Sequence, residues 1–349
     1  MTTRSTLAVL ALPLAALALA ACGETVPRST DDGAAAETVT VENCGADLVA
    51  PSPASRLYVY DGGMIAMTLA LGAQDQVAGI AGIGDDVAVL GQAYGADVVS
   101  GLPVAADERP TLENVIAQRP DVVVAGWNYG WDEDSNLTPA GLADRDIVGY
   151  TLTESCRQDD GEARGVVGPW EALRTDLTNL GAITGRDDRA ADLVADLDAR
   201  LARLEAAPRA SEPPTVFLMD SGTTAPFSSG SFGGPQGIIE AAGARNATED
   251  VADTWTTVSW ERVVASQPDY VAFVDYPGQA FEDKVRVLRS HPGTRDLPAV
   301  REGRFLNLPY AAWVSSPLNI DAAEQLRAAL EDAGLVPPTD IEPPFDLQP

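Results

Sequence analysis

A chain of 349 residues is long enough for two packed domains, and a hydrophobic content of 45% allows most of it to fold. The formal net charge is −29, and Lys284 is the only lysine. Such an acidic surface repels nucleic-acid phosphates and argues against DNA or RNA as a partner, although acidity alone names no other partner.

The first residues have the pattern of an export signal. Residues 1–21 carry one arginine and then a short apolar run ending in small residues, which predicts a signal peptide rather than a membrane-spanning helix. The run ends in Leu19-Ala20-Ala21-Cys22, which resembles the bacterial lipobox; this implies cleavage before Cys22 and lipidation of that cysteine. The alternative is an ordinary signal followed by chance by a cysteine. Residues 22–38 are then the lipidated cysteine and a flexible tether, and we expect a lipid-anchored protein on the extracytoplasmic face of the cell membrane.

Two further cysteines, Cys44 and Cys156, remain after export. An oxidising compartment permits a disulfide between them, and we predict this pairing. The alternative is that either is a buried thiol.

Short strands and helices then alternate along the chain. Residues 38–45 are predicted as a short edge strand, residues 55–60 as a strand ending at Asp61, and residues 64–72 as a helix closed by Gly72. The alternation predicts an α/β fold with a parallel sheet. The predicted parts are an N-terminal lobe (39–168), a connecting segment (169–207) read as one long helix or as two broken near Thr184-Gly185, a C-terminal lobe (212–336) and a tail (337–349).

An internal repeat supports two lobes of similar build. Residues 111–126 align without gaps with residues 259–274, with six identities in sixteen positions. A cleft between two such lobes, outside the carboxyl ends of their strands, is a natural ligand site.

The order of these motifs resembles the substrate-binding proteins of bacterial ABC importers for ferric siderophores, haem and cobalamin. Along residues 39–335 it comprises Asp-Gly-Gly after a strand, a helix ending Leu-Ala-Leu-Gly, two Glu-containing helices that each lead through Pro-Asp into a strand, and the late segment 290–313. The resemblance implies two Rossmann-like lobes with mostly parallel sheets, joined by one long rigid helix, and modest closure on binding. It further implies an ABC permease and its ATPase as partners. It also implies that one exposed glutamate on each lobe, Glu113 and Glu261, docks on the permease. The simpler interpretation of both is a carboxylate that stabilises a helix N-terminus.

Candidate ligand residues cluster after the predicted strands. Trp127, Tyr129 and Trp131 fall at alternate positions, which would place their rings on one side of an extended segment. Around them and in the second lobe, small polar groups and further aromatic rings could contact a solute. For each the alternative is packing, or for Asp61 a helix cap. The complete set of predicted ligand residues is Asp61, Trp127, Asn128, Tyr129, Trp131, Ser229, Phe232, Trp255, Tyr276, Tyr310 and Trp313.

The sequence lacks the residues of common catalytic sites. His291 is the only histidine, and no Gly-x-Ser-x-Gly motif frames a nucleophile, so we expect a monomeric binding protein rather than an enzyme. We expect no resident cofactor and no protein-held metal, because any metal would arrive already chelated.

No cluster of arginines falls in the predicted cleft loops, so the sequence favours neutral or cationic ligands over strongly anionic ones. A ferric siderophore of hydroxamate type is the preferred ligand. The alternatives are cobalamin, haem, a deazaflavin precursor, or a sensing rather than a transport role for the same fold.

Overall fold

The computed structural model describes residues 37–159, 161–276 and 278–348, without the side chain of Asp85. The predicted signal peptide (1–21), Cys22 and the tether as far as residue 36 lie outside the described residues. Among the described helices none is both long enough and apolar enough to cross a membrane.

The N-terminal lobe is built on a parallel sheet with strand order β5-β4-β3-β6-β8. A short strand, β7, pairs with the end of β6, and an antiparallel hairpin of β1 and β2 stands apart from the sheet. The segment predicted as one edge strand therefore begins a hairpin. The strands of this lobe are β1 (Thr38–Asn43), β2 (Ala46–Pro51), β3 (Leu57–Tyr60), β4 (Val77–Ala81), β5 (Val104–Ala106), β6 (Val122–Trp127), β7 (Gly130–Trp131) and β8 (Val148–Thr151).

The C-terminal lobe repeats the plan with a parallel sheet in the order β11-β9-β13-β14. A separate antiparallel pair, β10 with β12, lies beside the end of β9. The strands of this lobe are β9 (Thr215–Met219), β10 (Phe227–Ser229), β11 (Arg245–Asn246), β12 (Trp255–Thr257), β13 (Tyr270–Asp275) and β14 (Phe305–Pro309).

Helices connect the strands in both lobes, as the predicted alternation requires. They are α1 (Gly62–Ala70), α2 (Val87–Tyr94), α3 (Ala96–Ser100), α4 (Leu112–Ala117), α5 (Pro139–Ala143), α6 (Pro169–Thr184), α7 (Asp187–Ala206), α8 (Gly234–Ala241), α9 (Trp260–Ser266), α10 (Phe281–Ser290), α11 (Pro298–Glu302) and α12 (Asn319–Asp332).

The aligned repeat segments form the same unit in both lobes: α4 leads into β6, and α9 leads into β13. The shared Pro-Asp step has one structural role. Asp121 Oδ2 accepts the backbone N–H groups of Ser55 and Arg56 just before β3, and Asp269 Oδ2 accepts the N–H of Thr215 at the start of β9. Each aspartate thus fixes the register of its strand against the parallel neighbour.

The segment 169–207 forms two helices, not one. The chain breaks at Gly185, which has φ 67° and ends α6 in the left-handed conformation that glycine adopts at little cost. Helices α6 and α7 pack on each other along the two lobes, which belong to one compact unit. Near the break, Ser52 Oγ donates to Ala182 O in the N-terminal lobe, while Trp170 at the other end of α6 lies against Gly237 of the C-terminal lobe.

The predicted disulfide between Cys44 and Cys156 is present. It joins the turn of the β1–β2 hairpin to the residue that follows a one-turn 3₁₀ helix, Thr153–Ser155. The tail after α12 also packs on the protein, because Leu347 is buried and its N–H donates to Gln325 Oε1.

Candidate functional site

The two sheets direct their carboxyl ends toward a cleft between the lobes. Strand order reverses between β3 and β6 in one lobe and between β9 and β13 in the other, which is where open parallel sheets bind ligands. Two adjoining cavities occupy this cleft and meet at Arg109 and Asn128. We call them the acidic cavity and the tryptophan cavity.

The acidic cavity has a volume of about 490 Å³. Both lobes contribute, since its wall contains residues that follow β3, β6, β13 and β14. Five carboxylic acids and three tyrosines face one arginine, Arg109. These acids and tyrosines are Tyr60, Asp61, Asp86, Asp107, Glu108, Asp275, Tyr276 and Tyr310.

Asp61 links the lobes at the base of this cavity. It follows β3 with φ 77°, an unusual backbone conformation for a non-glycine residue, and its Oδ1 caps α1 by accepting the N–H of Gly63 at 3.2 Å. Its Oδ2 accepts the hydroxyl of Tyr310 at 2.8 Å. The helix cap and the cleft position predicted as alternatives are therefore both present. Burial raises the pKa of Asp61 to about 7, against the hydrogen bonds from Tyr310 and Gly63 that lower it.

The Gly-Gly pair after Asp61 allows the lobes to approach. A Cβ atom on Gly63 would lie 2.8 Å from the carbonyl oxygen of Ser315, and one on Gly62 would overlap the carboxylate of Asp86. Asp86 in turn accepts the backbone N–H of Ala311 at 2.9 Å, a second hydrogen bond between lobes.

Two tyrosines of the C-terminal lobe form the opposite wall. The rings of Tyr276 and Tyr310 lie 5.4 Å apart at 48°, and Tyr276 is 45% exposed. Burial raises the pKa of both phenols, as it does that of Tyr60. All three therefore remain neutral around pH 7.

The tryptophan cavity has a volume of about 570 Å³ and contains three of the predicted aromatic ligand residues. Trp127 and Trp131 come from the N-terminal lobe, and Trp255 and Phe227 from the C-terminal lobe. Trp131 Nε1 donates to Thr151, and Trp255 Nε1 donates to Glu154. Because these two indole N–H groups already donate to protein oxygens, Trp131 and Trp255 offer a ligand their ring surfaces only, beside a wall that also contains carboxylates and arginines.

The predicted common orientation of Trp127, Tyr129 and Trp131 is wrong. The segment is not extended after Trp127: Asn128 and Gly130 have φ values of 68° and 106°, so the chain turns and the alternation is lost. Trp127 and Trp131 line the tryptophan cavity, and Asn128 lies where the cavities meet. Tyr129 is buried behind them and donates to Glu154 at 2.9 Å.

Glu154, which the sequence did not single out, organises the wall. Its buried carboxylate accepts hydrogen bonds from Tyr129, from Trp255 and from the N–H of Gly234 at the start of α8. Burial raises its pKa. The sequence does not indicate this role for Glu154, because ESCRQDDG is typical of a polar loop and because its three hydrogen-bond partners are distant in the sequence.

The segment before α8 contains two of the predicted ligand residues, Ser229 and Phe232. The first backbone N–H of α8, that of Gly234, donates to Glu154. Ser229 is fully buried and does not line either cavity, and Phe232 packs over Gly165. Trp313 is also in the core, where its Nε1 donates to Phe273 O, because the chain turns into a 3₁₀ helix directly after β14.

Contrary to the sequence expectation, arginines do reach the cleft: Arg109, Arg157 and Arg164 line the tryptophan cavity. Two of them are paired. Arg157 lies 3.7 Å from the ring centre of Trp127 and 2.7 Å from Glu133, and Arg164 lies 3.4 Å from Asp253. The expectation failed because Arg157 and Arg164 lie in the loop held by the disulfide, which sequence alone does not bring to the cleft. Carboxylates still outnumber arginines in both cavities.

The remaining predicted features lie away from the cleft. Glu113 and Glu261 are exposed in the first turns of the equivalent helices α4 and α9. His291 stacks on Trp260 with ring centres 4.6 Å apart. In the described parts of the chain, no three His, Cys, Asp or Glu side chains are grouped to hold a metal ion.

Two α/β lobes around an aromatic and acidic cleft define a two-lobed solute-binding protein. The sequence agrees, because residues 58–312 match the family model for periplasmic binding proteins. The chain belongs to this family, whose members are extracytoplasmic solute-binding proteins. A comparison with curated proteins finds no match.

Solved structures show the same fold. A protein described as an ABC-type Fe³⁺-hydroxamate transport system from Saccharomonospora viridis has a TM-score of 0.70 and 23% identity, covering 84% of this chain and 98% of its own. A periplasmic binding protein from Veillonella parvula has a TM-score of 0.69 with the same identity and coverage. A periplasmic haem-binding protein from Pseudomonas aeruginosa has a TM-score of 0.62 and 24% identity, covering 82% of this chain and 96% of its own.

Proposed function

We propose that this protein captures a ferric siderophore of hydroxamate type in the interlobe cleft and delivers it to an ABC permease. The observation that carries the proposal is the pair of adjoining cavities, one walled by tryptophan rings and one by carboxylates. Each volume is within the range of small-molecule sites, and together they suit an extended ligand. The chelator supplies every ligand of the iron, so the protein needs none of its own.

The charge of the cleft supports neutral or cationic complexes over anionic ones. In the tryptophan cavity Arg157 pairs with Glu133 and Arg164 with Asp253, which offsets the attraction of these two arginines for an anionic chelate. Among the described residues Arg109 is the only cation that lines the acidic cavity, although the buried Lys284 interacts electrostatically with Asp275. A triscatecholate complex would meet repulsion in both places.

Haem is the weaker alternative. An axial histidine is the usual requirement, and His291 stacks on Trp260 away from the cleft. A tyrosine ligand would bind as phenolate, yet burial raises the pKa of Tyr60, Tyr276 and Tyr310.

Delivery requires recognition by the permease, and we assign this to Glu113 and Glu261. Both carboxylates are exposed on equivalent helices of the two lobes. Charges at such exposed positions affect the orientation and the association rate of the two proteins more than they affect the affinity between them. A lipid anchor on Cys22, added after removal of residues 1–21, would keep the monomer next to the permease.

A fluorescence titration tests the proposed ligand. Ferric trihydroxamates should quench the tryptophan emission, and their gallium analogues should bind with similar affinity in calorimetry without the same quenching. Trp127→Leu should weaken binding at least tenfold, whereas Trp170→Leu, a half-buried tryptophan on α6 outside both cavities, should not. Binding of a corrinoid, haem or flavin-like compound, with no response to any siderophore, would overturn the proposal.

A further inference from the structure

Carboxylates outnumber cations along the wall of the acidic cavity. Asp61, Asp107, Glu108 and Asp275 line it together with one arginine, and the buried Lys284 interacts with Asp275. Arg109 sits at the border with the tryptophan cavity, where its Nη2 donates to the carbonyl oxygen of Asn128 at 3.2 Å. The interior of the acidic cavity therefore offers a place for positive charge from outside the protein.

Asp61 shows most directly that the acidic cavity is short of cations. It is only 6% exposed, and its oxygens accept from a neutral hydroxyl and a backbone N–H. Among the described residues no salt bridge reaches it, and a buried carboxylate without a cation is costly. A cation bound in the cavity would remove that cost.

An organic cation fits better than a metal ion. The acids of the described residues do not form a group that could hold a metal. Instead, the exposed ring of Tyr276 and the ring of Tyr310 stand beside them on the same cavity. Aromatic faces next to carboxylates attract alkylammonium groups through cation–π and charge interactions.

We propose that the acidic cavity is an alkylammonium subsite, so that the solute carries a protonated amine between the two tyrosines and the surrounding carboxylates while its chelate lies on the tryptophan wall. The inference rests on the proposed function and narrows it to cationic hydroxamate complexes. Because Asp61 belongs to one lobe and Tyr310 to the other, the amine also bridges the lobes.

A matched pair of ligands tests the subsite. At low ionic strength a linear ferric trihydroxamate with a terminal primary amine should bind at least tenfold more tightly than its N-acetyl derivative. Added salt should reduce this difference in affinity, because it screens the charge of the amine. Equal affinity, or tighter binding of the acetylated complex, would overturn the subsite while leaving the siderophore proposal intact. If neither complex binds, the proposed function fails and the subsite fails with it.

Variants at exposed residues of the acidic cavity test whether the preference for the amine complex arises there. Asp107→Asn with Glu108→Gln should lower the affinity for the amine complex severalfold more than the affinity for the acetylated complex. Asp188→Asn with Asp192→Asn makes the same change in net charge on the exposed face of α7 and should preserve the preference. An equal loss in both double variants would show only a general charge effect and would overturn the assignment to this cavity.

Discussion

Single buried carboxylates determine how this protein responds to pH. Asp176 Oδ1 in α6 accepts hydrogen bonds from the hydroxyls of Tyr150 and Thr153, and the N–H of Thr153 is shared between Oδ1 and Oδ2. Burial nevertheless raises its pKa to about 7, and these hydrogen bonds only partly oppose that rise. The folded state therefore holds a proton here that the unfolded state releases at much lower pH.

This difference predicts a stability that falls as pH rises. Below about pH 4 both states are protonated. Between about pH 4 and pH 7 the folded state binds more protons than the unfolded state, so the free energy of unfolding decreases as pH rises. For the carboxyl group of Asp176 this decrease is on the order of 4 kcal/mol. Asp176→Asn keeps an acceptor at Oδ1 and should remove much of this decline in urea unfolding at pH 5 and pH 8. Asp188→Asn, on an exposed site, should leave the decline unchanged, and an unaltered decline in Asp176→Asn would contradict the account.

Among the elements, the 3₁₀ helix Thr153–Ser155 has the largest influence on the site. Thr153 attaches it to α6, Glu154 binds the wall of the cleft in both lobes, and Ser155 Oγ accepts the N–H of Trp127. The next residue, Cys156, forms the disulfide with Cys44. One turn of chain thus positions the wall of the tryptophan cavity.

The disulfide closes a sequence separation of 112 residues, so its removal should destabilise the protein. Cys44→Ser with Cys156→Ser should lower the free energy of unfolding by about 2–5 kcal/mol. It should also weaken ligand binding, because the wall loses its support. Urea unfolding of the variant should coincide with that of reduced wild-type protein. A variant as stable as the oxidised protein would show that the turn holds without the disulfide.

These elements also show where sequence reasoning succeeds and fails. The repeat predicted two equivalent helix-to-strand units, because each has its own apolar pattern and Pro-Asp step. The wall of the cleft depends on contacts between distant segments, such as Glu154 with Trp255 and Gly234, which leave no local pattern. Tyr129 and Trp313 were expected on the cleft, but turns that follow β6 and β14 place both in the interior.

At the scale of the whole molecule, binding and delivery use different surfaces. The solute residues lie inside the cleft, whereas Glu113 and Glu261 are exposed on the helices that precede β6 and β13. Glu113→Ala with Glu261→Ala should therefore abolish uptake of radioactive iron in cells while the Kd for the ferric complex stays unchanged.

The control for this prediction uses two other glutamates that are exposed in the first turn of a helix. Glu171 and Glu282 are exposed in the first turns of α6 and α10, and replacing both with alanine should leave uptake intact. Loss of solute binding in the Glu113/Glu261 variant would assign these residues to folding or to the site instead of docking.

The central claim is that a ferric chelate lies in the cleft between the lobes. Crystals grown with a ferric trihydroxamate and measured at the iron absorption edge would locate the metal directly. We predict one anomalous peak beside the tryptophan wall, bordered by Trp127 and Trp255, with no protein atom coordinating the iron. A peak outside the cleft, or iron coordinated by a tyrosine or carboxylate of the protein, would contradict the account.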